Sequence, residues 1–175
     1  IFERILDFLK KQETQIIINT NSDDSKFLNC RLPIIKDKNT NFQGPLAGIL
    51  STMSWIKENK MDIEWILSIP SDTPFLPKNL LEVFISKINN SKKIYIARSN
   101  GKIHPVIGLW NICLINSLEK ELAADNRKIM SWVYKNQFDF VDFPIKNYDP
   151  FFNINKKEDL TIATNIDKII TQSSE

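Results

Sequence analysis

One aspartate follows a strongly apolar run in the middle of the chain. Asp72 comes after 65–69 (WILSI) and lies in the turn 70–74, which two prolines restrict. A carboxylate held there can bind Mg²⁺, a hard cation that takes one or two carboxylates together with substrate phosphates. Aspartate in a turn also often bonds to nearby backbone N–H groups. The local pattern therefore leaves a metal ligand and a capping residue as equal alternatives.

Two further polar residues follow apolar runs at the predicted ends of strands. Asn19 closes 15–20 (QIIINT), and its amide has the donor and acceptor groups that suit a base edge or a sugar. Asp37 follows 32–35 and can accept hydrogen bonds from a base or a ribose. The alternatives are a turn residue for Asn19, a role that fits Asn21 better, and a solvated loop carboxylate for Asp37. The sequence alone favours the loop interpretation for Asp37.

The remaining candidates lie in the second half of the chain. His104 is the single histidine, and no serine or cysteine nucleophile is framed for it, so a structural role is favoured. Asn153 and Asn155 flank the end of a predicted strand. Asn155 and Glu158 resemble a capping box that begins a final helix, which leaves Asn153 free to contact a ligand.

Strands alternate with helices of about ten residues or more, which indicates a three-layer α/β/α domain with a mostly parallel sheet. In such sheets ligands bind outside the carboxyl ends of the strands, where the candidate residues lie. The predicted strands are 15–20, 32–35, 65–69, 93–97, 106–109, 140–143 and 151–152. The predicted helices begin at residue 1 and then cover 46–59, 77–89, 112–124, 127–136 and a last segment after 155.

Composition excludes several classes of protein. The 175 residues are 42% hydrophobic and 25% charged, which is typical of one soluble globular domain. A net charge of +2 is too small for a nucleic-acid binder that depends on a basic stripe. The two cysteines lie far apart, so neither a zinc cluster nor a disulfide framework is expected, and a cytoplasmic protein is the default. The apolar runs are too short to span a membrane.

Several stretches, in this order, resemble the molybdenum cofactor guanylyltransferase family of nucleotidyltransferases, the MobA type, over essentially the whole chain. The combination of GPLAG, a strand that ends in D-x-P, then HP, then N-x-N before the last helix is fairly specific. The matching stretches are 16–23 (IIINTNSD), 34–37 (IIKD), 44–53 (GPLAGILSTM), 65–77 (WILSIPSDTPFLP), 104–110 (HPVIGLW), 127–130 (RKIM) and 151–160 (FFNINKKEDL).

The resemblance implies a Rossmann-like fold of the nucleotide-diphospho-sugar transferase type. It also implies Mg²⁺-dependent transfer of GMP from GTP to the terminal phosphate of molybdopterin, with release of pyrophosphate. Asp72 matches the catalytic, magnesium-binding aspartate, and Asn19 and Asp37 match positions that contact the guanine nucleotide. The positions that would lie toward the pterin are His104, Asn153 and Asn155. The partners implied are GTP, molybdopterin, other cofactor-biosynthesis proteins and apo-molybdoenzymes, with no nucleic acid and no membrane.

The chain departs from the family pattern at its start. The family begins with a strand and a Gly-rich loop followed by a lysine, which grip the triphosphate, whereas residue 1 here matches the helix after them. We therefore expect residues 1–175 to form a single nucleotidyltransferase domain without its first strand and phosphate-binding loop, and to lack turnover in this form. Two alternatives remain open: a cytidylyl- or sugar-1-phosphate nucleotidyltransferase, and a non-catalytic nucleotide-binding module.

Overall fold

Helices and strands alternate along most of the chain, as the sequence predicts. The computed structural model describes residues 1–12, 14–23, 25–37 and 44–172. The helices are α1 (Phe2–Lys10), α2 (Ser25–Leu28), α3 (Pro45–Glu58), α4 (Leu80–Lys87), α5 (Ile115–Ala123), α6 (Ile129–Val133) and α7 (Asp159–Gln172), with a 3₁₀ turn at Ile112–Leu114. The strands are β1 (Ile18–Asn19), β2 (Ile34–Ile35), β3 (Trp65–Ser68), β4 (Ile94–Ser99), β5 (Lys102–Asn111) and β6 (Phe138–Phe143).

Four strands form the main sheet in the order β3-β5-β4-β6. β5 is antiparallel to both of its neighbours, and β6 is parallel to β4, so β3, β4 and β6 run in one direction. β1 and β2 form a separate parallel pair. The fold is therefore mixed α/β with mostly parallel strands, as expected, and the carboxyl ends of β3, β4 and β6 share one edge of the main sheet.

β4 shows how the helices are divided between the two faces of the main sheet. Ile94 and Ile96 pack with α3, α5 and α6 on one face, whereas Tyr95 and Ala97 pack with α4 on the other. Successive side chains of a strand point to opposite faces, so these alternating apolar residues are all buried. Helices cover both faces, which gives the predicted three layers. None of the helices in the described ranges is both long enough and apolar enough to cross a lipid bilayer.

The hairpin between β4 and β5 makes β5 much longer than the predicted strand at 106–109. The two strands are joined by Asn100 and Gly101, which have φ angles of 45° and 78°. Two positive φ angles in a two-residue loop are typical of a type I′ turn, for which Asn-Gly is a preferred sequence. The Asn-Gly pair was the available signal that β5 begins directly after β4.

The prediction of a strand at 151–152 is wrong. The backbone N–H of Phe152 donates to the carbonyl of Asp149 in a turn. Phe151 is fully buried, with its ring centroid 4.7 Å from that of His104 and 5.1 Å from that of Phe143. The apolar pair anchors a loop in the core instead of extending the sheet.

Candidate active site

The first candidate cluster lies at the ends of β1 and β2. The amide Nδ2 of Asn19 donates to Asp37 Oδ1 at 3.1 Å and to the carbonyl of Ile35 at 3.4 Å. Gly48 of α3 lies against the same amide, because a Cβ at that position would be 2.4 Å from Asn19 Oδ1. The structure therefore brings Asn19 and Asp37 together, and a helix residue without a side chain makes room for them.

Asn21 completes this cluster, although the sequence treats it only as a turn residue. Its Nδ2 donates to Asp37 Oδ2 at 2.9 Å, and its Oδ1 accepts from the backbone N–H of Asp37 at 3.0 Å. Residues two positions apart on an extended segment share a face. The spacing of Asn19 and Asn21 could therefore have indicated that both amides face Asp37.

The second cluster surrounds Asp72 in the loop after β3. Asp72 is partly buried, and its Oδ1 accepts from the hydroxyl of Thr73 at 3.2 Å. The buried Thr73 hydroxyl also lies 3.4 Å from Asn153 Oδ1, and the N–H of Ile154 donates to the Asp72 carbonyl at 2.9 Å. These contacts bring Asp72 and Asn153 together although they are far apart in sequence.

Asn155 has a different environment from Asn153. It is exposed, and its backbone N–H donates to Asp159 Oδ2 at 2.8 Å, beside the N–H of Lys156 at 2.9 Å. These two bonds lower the pKa of the Asp159 carboxyl. The prediction that Glu158 forms the capping box is therefore wrong, because Asp159, the first residue of α7, accepts the backbone donors.

The oxygen atoms around Asp72 are suitable ligands for Mg²⁺. The carboxylate of Asp72 and the amide oxygen of Asn153 are hard oxygen ligands, and each lies within 3.4 Å of the Thr73 hydroxyl. Within the described ranges no three His, Cys, Asp or Glu side chains cluster as a metal cage would require. This arrangement fits a cation that takes one or two carboxylates and completes its shell with water and phosphate.

A third cluster lies in the core around His104, at the start of β5. His104 Nε2 is 2.7 Å from the hydroxyl oxygen of Ser99, and that hydroxyl donates to Asp149 Oδ1 at 3.0 Å. A serine has one proton to donate, and here it is directed to Asp149, so His104 donates from Nε2. The order is not that of a catalytic triad, because the histidine does not accept the serine proton.

Burial determines the protonation of His104. Only 7% of the residue is exposed. Desolvation lowers the pKa of His104 below 6.5, the charge of Asp149 opposes this shift, and that of Lys102 adds to it. His104 is therefore neutral at pH 7. The sequence contains no motif that joins Ser99 and Asp149 to His104, since the hairpin and the 144–155 loop bring them together.

Comparison with known proteins places this chain in a family. Residues 1–138, more than half of the chain, match the family model described as the MobA-like NTP transferase domain. The chain belongs to the MobA-like NTP transferase family. This membership confirms the resemblance that the sequence motifs indicate, and the matched region contains Asn19, Asp37, Asp72 and His104. Asn153 and Asn155 lie beyond it.

Individual MobA-like relatives extend the match over most of the chain. A molybdenum cofactor guanylyltransferase from Rhodopseudomonas palustris (strain BisB5) is 37% identical over 168 residues, which cover 95% of this chain and 80% of the relative. One from Nitrobacter hamburgensis is 38% identical over 165 residues, which cover 93% and 79%. The fold matches the crystal structure of molybdopterin-guanine dinucleotide biosynthesis protein A from Archaeoglobus fulgidus, with a TM-score of 0.69, 19% identity and coverage of 94% and 85%.

Proposed function

We propose that the protein transfers GMP from GTP to molybdopterin, with Mg²⁺ and release of pyrophosphate, in molybdenum cofactor biosynthesis. The observation that carries this proposal is the contact of Asn19 with Asp37 beside Gly48, in a chain whose relatives are named molybdenum cofactor guanylyltransferases. The partners we propose are GTP, molybdopterin, and the cofactor-biosynthesis proteins and apo-molybdoenzymes of the cytoplasm.

The proposed reaction needs charge neutralisation and positioning more than acid–base help. An oxygen of the terminal phosphate of molybdopterin attacks the α-phosphorus of GTP, the bond to the bridging oxygen of the β-phosphate breaks, and pyrophosphate leaves with the electron pair. The attacking phosphate is already ionised, so no base has to remove a proton. The Ser99–His104–Asp149 cluster, in which the serine donates to the carboxylate, supports a reaction without a serine nucleophile.

Asp72 is the residue we propose as the metal ligand. Its carboxylate, together with the amide oxygen of Asn153, would hold Mg²⁺ at the edge of the sheet. When bound, the cation stabilises the negative charge that develops on the phosphate oxygens. The hydroxyl of Thr73 restrains the direction of the Asp72 carboxylate, which stays partly exposed and within reach of a substrate.

Asn19 and Asp37 are the residues we propose for the nucleotide, and Asn153 and Asn155 for the pterin substrate. Asn153 and Asn155 belong to one segment, which the bond from Ile154 to Asp72 holds beside the proposed metal site. His104 supports that segment from the core through its contact with Phe151. Because its side chain is buried, we propose that His104 does not contact the pterin directly and instead holds the segment that carries Asn153 and Asn155.

We also propose that a strand and a phosphate-binding loop complete this domain beside β3. β3 pairs with β5 on one side, and no other described strand pairs with it. Its three apolar residues, Trp65, Ile66 and Leu67, are only partly buried, in contrast to the fully buried Ile94 and Ile96 of β4. A further strand along this edge would cover them. We therefore expect the 175 residues alone to bind GTP weakly and to give no turnover.

A nucleotide series on the natural protein, with any residues that precede Ile1, tests the proposed activity. Thermal shifts measured with Mg²⁺ and GTP, CTP or UTP should be largest for GTP. Asp72→Asn should abolish GMP transfer, while its melting temperature should stay within a few degrees of that of the native protein. A larger shift with CTP would favour a cytidylyltransferase. Mg²⁺-dependent GTP binding without transfer to molybdopterin would favour a non-catalytic nucleotide-binding module.

A further inference from the structure

Asn21 forms a two-point contact with Asp37 that the strand pairing does not require. Its Oδ1 accepts from the backbone N–H of Asp37, and its Nδ2 donates to Asp37 Oδ2. The amide presents an acceptor and a donor side by side, which match the donor and the acceptor that Asp37 presents. One side chain therefore fixes both the backbone and the carboxylate of Asp37.

This contact replaces the next step of the parallel ladder between β1 and β2. Ile18 pairs with Ile34, and the N–H of Thr20 donates to the carbonyl of Ile35 at 3.0 Å. A regular parallel ladder would next join the N–H of Asp37 to the carbonyl of Thr20. The side-chain oxygen of Asn21 accepts that N–H instead, so the backbone pairing of β1 with β2 ends before Asp37.

The two asparagines hold different oxygens of the carboxylate. Asn19 donates to Oδ1 at 3.1 Å, and Asn21 donates to Oδ2 at 2.9 Å. Two donors on two oxygens fix the plane of the carboxylate as well as its position. A carboxylate offers about four acceptor sites, and these two amides use two of them. The geometry therefore presents an oriented acceptor pair to a ligand with two adjacent N–H or O–H donors.

We propose that Asn21 is a positioning residue that orients the carboxylate of Asp37 toward the donor groups of a bound purine nucleoside triphosphate. This inference rests on the proposed nucleotide site. Asn21 acts through Asp37 and does not itself hold the nucleotide. An effect of Asn21 on affinity should therefore depend on the presence of the Asp37 carboxylate.

A double-mutant cycle on GTP affinity tests this dependence. Calorimetric titration of the natural protein with GTP and Mg²⁺ should show about tenfold weaker binding for Asn21→Ala, which is the scale of one lost hydrogen bond to a charged group. In an Asp37→Ala background the same substitution should change the dissociation constant less than twofold, because the group that Asn21 orients is gone. An equal loss in both backgrounds, or no loss in the native background, overturns the proposal.

Asn21→Asp separates positioning from a purely structural role in the loop. This variant keeps an oxygen that accepts the N–H of Asp37 but places a second carboxylate where an amide donor was. If Asn21 only shapes the loop, Asn21→Asp should restore native GTP affinity, and that result contradicts the proposal. If it positions the carboxylate, the variant should bind GTP no better than Asn21→Ala.

The failure of this inference can be distinguished from the failure of the proposed function. Asn165→Ala, at an exposed position on α7, serves as the matched control and should bind GTP with native affinity. If the native protein does not bind GTP, the proposed function fails and the inference fails with it. If the native protein binds GTP and Asp37→Ala weakens it, but Asn21→Ala does not, only the role of Asn21 is wrong.

Discussion

At the scale of single residues, Gly48 controls how close α3 can come to the amide of Asn19. Its Cα hydrogen occupies a position where a Cβ would lie 2.4 Å from Asn19 Oδ1 and 3.2 Å from Asn19 Cγ. The atoms in the way belong to the end of a side chain that can rotate, so an added methyl group would displace the amide without moving the backbone. A substitution at this position should therefore affect ligand binding more than the stability of the fold.

Gly48→Ala should weaken nucleotide binding at little cost in stability. Alanine favours a helix over glycine by about 1 kcal/mol, and loss of the partly exposed Asn19 hydrogen bonds offsets this by about 0.5–1.5 kcal/mol. We expect the free energy of unfolding to change by no more than about 1 kcal/mol and GTP affinity to fall about tenfold. Urea denaturation and calorimetry measure both quantities. Lys57→Ala, at an exposed position of α3, is the control, and native GTP affinity in Gly48→Ala would contradict the prediction.

At the scale of elements, the His104 cluster joins three segments that are separate in the sequence. Ser99 ends β4, His104 lies near the start of β5, and Asp149 belongs to the loop after β6. Asp149 Oδ1 also accepts from the N–H of Phe151 at 3.0 Å, and so the cluster fixes the loop that continues to Asn153. Its protonation should therefore affect the stability of the fold.

The stability of the fold should fall as the pH decreases below about 6.5, the ordinary pKa of a histidine. Burial lowers the pKa of His104 in the folded state, so between the two pKa values the unfolded chain binds the proton and the folded chain does not. Between these two pKa values the free energy of unfolding should fall by at most about 1.4 kcal/mol per pH unit, and above pH 7 it should no longer depend on His104. Urea denaturation between pH 5 and 8 measures it.

His104→Gln provides the control for this pH dependence, because glutamine keeps an amide donor for Ser99 and has no titratable group. The decline between pH 6.5 and 5 should flatten in this variant. The lowered pKa values of Asp142, bonded to Arg98, and of Asp159 affect stability only near or below pH 3.8, outside this window. The single histidine also gives one assignable NMR signal, and a folded-state pKa above 6.5 would contradict the prediction.

The sequence predicts the elements well where burial and propensity agree. α3 (Pro45–Glu58) and β3 (Trp65–Ser68) differ from the predicted 46–59 and 65–69 by one residue at each affected end. The prediction of a strand at 151–152 is wrong because an apolar pair can be buried in a loop as well as in a sheet. β1 (Ile18–Asn19) is shorter than 15–20 because pairing with a partner strand, which propensity does not encode, determines its length.

In the candidate site, too, local sequence patterns indicate some residues, whereas tertiary contacts determine others. Asn19, Asp37 and Asp72 follow apolar runs, and this pattern is visible in the sequence. Ser99 could not be assigned in that way, because the β4–β5 hairpin fixes its contact with His104. The spacing of Asn21 from Asn19 indicates that the two side chains share a face, but the pairing of β1 with β2 determines that Asp37 lies there. The sequence thus indicates residues at strand ends, whereas tertiary contacts determine which residues orient them.

At the scale of the whole molecule, α3 connects the two sheets. Its Leu46, Ile49 and Met53 are buried with Ile94 and Ile96 of the main sheet. The same helix contacts β1 and β2, and its Gly48 lies against Asn19. The edge of β3 that faces away from β5 is the part of the main sheet where the proposed additional strand would pair. The direction in which the β3 N–H groups point allows that proposal to be tested by hydrogen exchange.

The register of β3 identifies which of its amides depend on the proposed strand. The N–H of Ile112 donates to the carbonyl of Glu64, so with the observed register Ile66 and Ser68 exchange hydrogen bonds with β5. The N–H groups of Trp65 and Leu67 therefore point away from β5. In the 175-residue chain we expect the amides of Trp65 and Leu67 to exchange with solvent on the order of 100-fold faster than those of Ile66 and Ser68.

Hydrogen exchange followed by NMR then compares this chain with the natural protein that includes any residues preceding Ile1. If a strand pairs with the free edge of β3, Trp65 and Leu67 should become protected there, while Ile66 and Ser68, already bonded to β5, should change little. Protection of all four amides in the 175-residue chain at low concentration would show that the edge is already covered. Fast exchange at Trp65 and Leu67 in both proteins would place the proposed strand elsewhere, and the phosphate-binding loop with it.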